Sequence, residues 1–311
     1  MIIYLQHHAI DREKWDACIM GSRNSLVYAM SWYLDITGPG WDALVEEDYS
    51  AVFPLVHRSK GGINYLYQPF FTQQLGVFSK QPISGERIKQ FISAIPGKFL
   101  FAEIHLNTQN HPDPGPFELN ERLNHELDLL PAYEILSGNY SENTRRNLKK
   151  AAGHPLVLKN DLEPDELITL FRENFGKKEG KLKSEHYEIL RILLYGCMKH
   201  TSSTISGVIN KDGILCASAF FLTFNKRVIY HFAASAAPAR ENGAMFFLVD
   251  RFIREHAGQQ LVLDFEGSND ANVARFYKGF GSAESSYPLV RIDHLPAFLR
   301  KGVYFMKKFR G

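Results

Sequence analysis

Residues 213–281 read GILCASAFFLTFNKRVIYHFAASAAPARENGAMFFLVDRFIREHAGQQLVLDFEGSNDANVARFYKGFG. Apolar residues crowd 213–221 and 228–234, with the turn pair Asn225-Lys226 between them, which predicts a β-hairpin. Residues 235–242 have the composition of a loop. Across 243–256, Met245, Leu248, Val249, Phe252 and Ile253 recur at helical spacing. Residues 261–265 form a short apolar run of strand length. Ser268 or Asn269 then opens a last helix, which ends at Gly279-Phe280-Gly281.

The same order can be traced in the first half. Residues 41–46 and 50–57 predict a hairpin around Glu47-Asp48, and 63–69 predict a third strand. A polar loop, 71–76, follows. Ser84 caps a predicted helix to Ile95, with Ile88, Phe91, Ile92 and Ile95 on one face, and 98–106 read as a strand. The loops also correspond, Gln73-x-x-Gly76 in one half and Arg240-x-x-Gly243 in the other. This is a degenerate internal repeat. Between the halves, 141–152 predict a basic helix capped at Ser141 or Asn143. Residues 165–175 and 184–199 predict two more helices, and 203–210 a strand. Residues 31–35 are a short aromatic segment, 117–131 carry no clear period, and 133–137 read as a strand.

The totals set the limits. The chain has 311 residues, 45% hydrophobic and 23% charged, which is the composition of a globular protein with material for one or two cores. A net charge of +2 gives no general argument for nucleic acid. Three scattered cysteines, Cys18, Cys197 and Cys216, define neither a disulfide framework nor a metal spacing, and point to a reducing cytoplasm. Twelve scattered histidines include no ligand pattern, so no metal is expected. The opening MIIYLQHHAIDREKW lacks a basic stretch followed by an apolar run, so no signal peptide is expected. No apolar run approaches the ~18 residues of a membrane span.

Strand, Arg240-x-x-Gly243, helix, strand, then Asn272-x-x-x-Phe276-Tyr277-x-Gly279-Phe280-Gly281 resembles the acyl-CoA N-acyltransferase (GNAT) fold. Two such halves, joined by Tyr140-Ser141-x-x-Thr144-Arg145-Arg146-Asn147-Leu148-x-Lys150-Ala151, resemble the FemABX group. The resemblance covers most of the chain, through short motifs. It implies an α/β (α+β) chain of two tandem GNAT-like domains, each a mixed central sheet flanked by helices. Residues 1–133, completed by 294–311, would form the first domain. Residues 134–293 would form the second and carry the donor site.

The resemblance also implies a chemistry. The chain would move an acyl group from a thioester or an aminoacyl ester to an amine, with acyl-CoA or aminoacyl-tRNA as co-substrate. The acceptor would be a small-molecule or cell-wall-precursor amine, with tRNA as a further partner. Arg240, Glu241, Asn242, Gly243 and Ala244 would hold the donor's phosphates at a helix N-terminus. An ordinary loop before a core helix would look the same. Met245 stands where the family pattern has a second small residue. Tyr277 stands where FemABX proteins often carry Lys, with Lys278 one step later. Tyr277 resembles the GNAT tyrosine that protonates the leaving thiolate, at a shorter spacing from Gly-Phe than usual, and a residue that packs in the core would read the same. Asp264 and Glu266, two apart on one strand face, are candidate bases; Glu266 is equally a candidate helix cap. Arg145, Arg146 and Lys149, and the loop lysines 177, 178, 181 and 183, suit phosphate contacts or a solvated face. Tyr67 and Gln68 are candidates to line an acceptor site or to pack in the core. The alternative to an enzyme is a binding protein that kept the tandem fold.

Overall fold

A computed structural model describes residues 1–176, 182–267 and 270–296. In chain order it begins β1 (Ile2–Leu5), α1 (Arg12–Gly21), α2 (Ser31–Thr37), β2 (Asp42–Glu46), β3 (Ala51–Leu55), β4 (His57–Lys60), β5 (Ile63–Leu66) and β6 (Phe78–Ser79). Next come α3 (Gly85–Ser93), β7 (Phe99–His105), β8 (Glu118–Asp128), α4 (Tyr133–Gly138), α5 (Glu142–Ala152), β9 (Val157–Lys159), α6 (Pro164–Phe171) and α7 (Ser184–His200). The rest is β10 (Ser202–Ile209), β11 (Leu215–Phe224), β12 (Arg227–Ser235), α8 (Pro238–Asn242), α9 (Ala244–His256), β13 (Val262–Asp264), α10 (Ala271–Lys278) and β14 (Ala283–Asp293).

The chain divides into two compact units, Met1–Arg122 with Ser286–Gly311, and Leu123–Ser285. The divisions fall at 122 and 285, inside β8 and β14. Of the tail expected to complete the first domain, residues 297–311 lie outside the described residues.

The first unit holds a small antiparallel sheet, β1-β2-β3-β6, and the strands β4-β5-β7-β14. Here β4 and β5 form an antiparallel pair, and β7 returns parallel to β5 after α3. Ser84 caps α3 by accepting the Arg87 N–H at 3.2 Å, and Ile88, Phe91 and Ile92 bury against Phe53, Leu66 and Ile104. In the second unit the strand order is β8-β13-β12-β11-β10-β9. Here β11 and β12 form the antiparallel hairpin, and β13 returns parallel to β12 after α9. Its core is the α9 face, Leu248, Val249, Phe252 and Ile253, against Phe221, Val228 and Leu263. Phe221 and Phe252 stack with ring centroids 3.8 Å apart. Burying each such side chain is worth about 2 kcal/mol. No helix among the described residues is long and apolar enough to cross a membrane.

Several expectations are corrected. Residues 133–137 form α4, not a strand. Tyr133, Leu136 and Tyr140 fall at i, i+3 and i+7, so they share one side of a helical path; Leu136 and Tyr140 are buried. The unassigned stretch 117–131 is mostly the eleven-residue β8. The aromatic segment at 31–35 is α2. The loop at 235–242 contains the short helix α8, started by Pro238 at its first turn. The last helix is capped by Asp270, whose side chain accepts from the N–H groups of Asn272 and Val273. Ser268 and Asn269 lie outside the described residues.

Gly243 links α8 to α9 in the left-handed region, φ +70. A Cβ there would also meet the Asn147 carbonyl oxygen at 2.5 Å, because α5 crosses at that point. Gly258 has a similar φ, +81, with open space around it. Gly243→Ala therefore loses about 2 kcal/mol or more of stability, against about 1 kcal/mol for Gly258→Ala. Urea-unfolding midpoints of the two variants measure the difference, and equal losses would remove the α5 contact as the reason for glycine.

Candidate active site

The parallel pair β12/β13 is short. Arg227, Val228 and Ile229 face Val262, Leu263 and Asp264, and the pairing stops there. Two local features end it. Asp264 Oδ1 accepts the Glu266 N–H at 2.9 Å, and Glu266 takes φ +59, so the chain turns out of the strand. On β12 the register against β11 shifts: Phe232 faces Phe220 and Tyr230 faces Phe221, which leaves His231 as the extra residue of a bulge. Beyond Ile229, no strand among the described residues pairs with the β13-side edge of β12. Past Ile229 and Asp264 the two strands part as a fork.

At the root of the fork lies a part-buried ionic group. Arg227 donates to Asp264 Oδ2 at 2.7 Å and to Glu126 Oε1 at 2.9 Å, and Asn124 Nδ2 also donates to Glu126 at 3.0 Å. Asp264 is fully buried. Burial pushes its carboxyl up to about 6; Arg227 opposes this, and the charges of Glu126 and Glu266 add to it.

Inside the fork, His231 Nδ1 lies 3.2 Å from Glu266 Oε1, and the His231 side chain is buried. The Tyr277 ring, on α10, stacks on Phe265 at 5.0 Å and meets Tyr230 edge-on at 6.1 Å. Burial raises the Tyr277 phenol well above its ordinary value, with Glu266 and Asp264 adding. It is therefore held protonated at neutral pH, as a donor. Tyr230 is buried and donates its O–H to Met245 Sδ at 3.2 Å. Met245, the bulky residue at the family's small position, thus fills space and satisfies a buried hydroxyl.

Asp264 is committed to Arg227, and Glu266, past the strand end, to His231. Lys278 is exposed and pairs with Glu284 at 2.5 Å. Arg240 and Glu241 are exposed on α8, while Asn242, Gly243 and Ala244 are buried. Asn242 Oδ1 accepts the Ala244 N–H at 3.0 Å. The next two N–H groups of α9, at Met245 and Phe246, have no acceptor among the described residues. Gly243 gives its close approach to α5 and not to an open site.

Arg145, Arg146 and Lys149 are exposed on α5. Arg145 reaches the Gly138 carbonyl, and Arg146 donates to Asn143 Oδ1 at 2.9 Å. Lysines 177, 178 and 181 lie outside the described residues. In the first unit, Arg58 stands 4.5 Å over the Tyr67 ring. Gln68 uses both ends of its amide, donating to the Thr72 carbonyl at 2.8 Å and accepting from the His105 N–H at 3.1 Å. Among the described residues, no group of three or more His, Cys, Asp or Glu side chains is placed to hold a metal ion.

Sequence reasoning missed His231, Arg227 and Tyr230. The bulge that re-aims His231 leaves no mark in the alternation of β12, and an Arg at a strand start reads as a surface residue.

No family model matches the chain, and no curated protein does. Solved structures do. The chain is similar to FemX, with a TM-score of 0.64 and 13% identity over 92% of this chain and 96% of that one. It is similar to the C-terminal domain of a candidate lysylphosphatidylglycerol synthetase from Agrobacterium fabrum, with a TM-score of 0.55 and 14% identity over 94% and 95%. An acetyltransferase of the GNAT family from Colwellia psychrerythraea gives a TM-score of 0.50 and 12% identity over 94% and 98%. The chain has a FemABX-like, GNAT-type α/β fold, the fold that its motifs resemble.

Asp264 supplies a signed stability prediction. Its folded value, about 6, lies above the ordinary carboxylate value of about 4. Between these the folded state binds more protons, so the contribution of Asp264 to stability falls as pH rises through the window and is fully present below it. Thermal unfolding of wild type and Asp264→Asn from pH 4 to pH 7 measures this. The wild type gains relative to the variant as pH falls, and a pH-independent difference would contradict the raised carboxyl.

Proposed function

We propose that the chain transfers an acyl or aminoacyl group from a thioester or aminoacyl ester to an amine. The observation that carries this reading is the fork between β12 and β13. It parts two neighbouring strands, sets His231 beside Glu266, and packs Tyr277 on Phe265. His231, oriented by Glu266, takes a proton from the incoming ammonium. The freed amine attacks the carbonyl, and Tyr277 gives its phenolic proton to the leaving thiolate or alkoxide. Asp264 is the positioning residue that turns Glu266. The N–H groups of Met245 and Phe246 suit the donor's phosphates. Arg145, Arg146 and Lys149 suit those of a tRNA or a nucleotide-linked acceptor. Acyl-CoA and aminoacyl-tRNA both remain candidate donors.

The order hairpin, helix, parallel strand in each unit supports reading the units as tandem copies. Three buried, unpaired cysteines support a cytoplasmic location. The alternative, a binding protein without the chemistry, draws on one observation: Lys278, the nearest lysine to the FemABX position, is exposed and tied to Glu284.

Donors are screened by turnover with acyl-CoA thioesters and an aminoacyl-tRNA mimic. With the active donor, Tyr277→Phe and His231→Gln each lower kcat by about a hundredfold or more, with thermal midpoints near wild type. Undiminished turnover in either variant removes that residue from the chemistry. Donor binding without any turnover favours the binding protein.

A further inference from the structure

Two stretches far apart in sequence meet in the second unit. Tyr140-Ser141-x-x-Thr144 leads into α5, and Gly279-Phe280-Gly281 follows α10. The Ser141 N–H bonds the Gly279 carbonyl at 2.9 Å, and the Tyr140 ring meets Phe280 edge-on at 5.4 Å. Thr144 is fully buried. Its hydroxyl lies 3.1 Å from Ser141 Oγ, the atom that caps α5 by accepting the Thr144 N–H at 3.2 Å. The cap thereby holds the Thr144 hydroxyl in one place.

Gly279 lies against that hydroxyl. Its φ is −59, which any residue adopts, so the backbone does not call for glycine. Space does. A Cβ there would meet Thr144 Oγ1 at 2.5 Å. The next nearest atoms, the Phe276 and Arg275 carbonyl oxygens at 3.0 and 3.3 Å, belong to the last turn of α10 itself. Tyr277 is tied to this turn twice. Its carbonyl accepts the Phe280 N–H at 3.1 Å, and Phe265 stacks on both rings, 5.0 Å from Tyr277 and 6.1 Å from Phe280. A shift of the turn against α5 therefore moves the phenol.

We propose that Thr144 is a positioning residue for Tyr277. Its buried side chain sets where the end of α10 comes to rest on α5, and with it where the phenol stands. The inference rests on the reading of Tyr277 as the acid. It divides the work of α5: Arg145, Arg146 and Lys149 are exposed, while Thr144 faces inward and braces α10. Displacing a reacting group by about 1 Å costs on the order of a hundredfold in rate, so a contact this close to the acid has room to matter.

Exchanging side-chain size across the contact tests this, with turnover measured on the donor found active in the screen. Gly279→Ala lowers kcat about tenfold or more and leaves KM within about twofold of wild type. Adding Thr144→Ala removes the obstructing atom and recovers most of the loss. Wild-type kcat in Gly279→Ala, or a double variant no faster than Gly279→Ala, overturns the proposal. A double-mutant cycle separates positioning of the acid from a general loosening of the fold. In a Tyr277→Phe background Gly279→Ala costs no more than about twofold; an undiminished loss there shows that the contact does not act through the phenol, and overturns the proposal. Should Gly279→Ala not fold, Thr144→Ala alone is measured. It lowers kcat in wild type and not in the Tyr277→Phe background, and a wild-type kcat overturns the proposal. The underlying reading fails separately: Tyr277→Phe at the wild-type rate removes the acid, whereas wild-type rates in the Gly279 and Thr144 variants leave it standing.

Discussion

One guanidinium ties three strands of the second unit together. Arg227 begins β12 and bonds at once to Asp264, the last residue of β13, and to Glu126 on β8. Three neighbouring strands are thereby fixed at one level. Below it they pair as an ordinary sheet; above it β12 and β13 separate. One cation between two carboxylates leaves an excess of negative charge beside the fully buried Asp264, and a buried ion pair is stabilising only where its geometry repays the desolvation. The structure responds in two ways. The Asp264 carboxyl rises towards neutrality, and its second oxygen binds the Glu266 N–H. That second bond turns the chain into the left-handed conformation at Glu266 and delivers its carboxylate to His231.

The aromatic and sulfur side of the fork follows from packing. Paired residues on neighbouring strands share a face, so Val228, Tyr230, Leu263 and Leu127 look towards α9 while Arg227, Asp264 and Glu126 look the other way. On the α9 side, Tyr277 is sandwiched among Phe265, Tyr230 and Phe276. These rings exclude water and keep the phenol protonated. Met245, a departure from the family pattern at sequence level, is consistent with this packing because its sulfur takes the Tyr230 hydroxyl. Gly243 allows α5 to lie close against the start of α9, which makes that glycine a packing requirement.

Much of the fold was legible in the sequence. The hairpin turn Asn225-Lys226 has both residues at positive φ, as its chemistry suggests, and Ser84 and Ser141 cap the helices expected of them. β8 was illegible for a physical reason: its buried positions include Asn124 and His125, so hydrophobic alternation fails where polar side chains face inward. Residues 133–137 misled because three apolar letters in a five-residue window fit either period. At the candidate site, Asp264, Glu266 and Tyr277 were legible as titratable residues. Their division of labour was not, because it depends on a bulge at His231 and a left-handed residue at Glu266, and neither leaves a trace in composition or spacing.

The central claim is that a donor binds in the fork beside β12. The most direct measurement is an amide-resolved NMR titration with a thioester or aminoacyl-ester donor whose binding is established by calorimetry. The account predicts that the amides of residues 230–234 shift and gain protection from exchange, together with those of Met245 and Phe246. A donor that binds while leaving residues 230–234 unperturbed would contradict it.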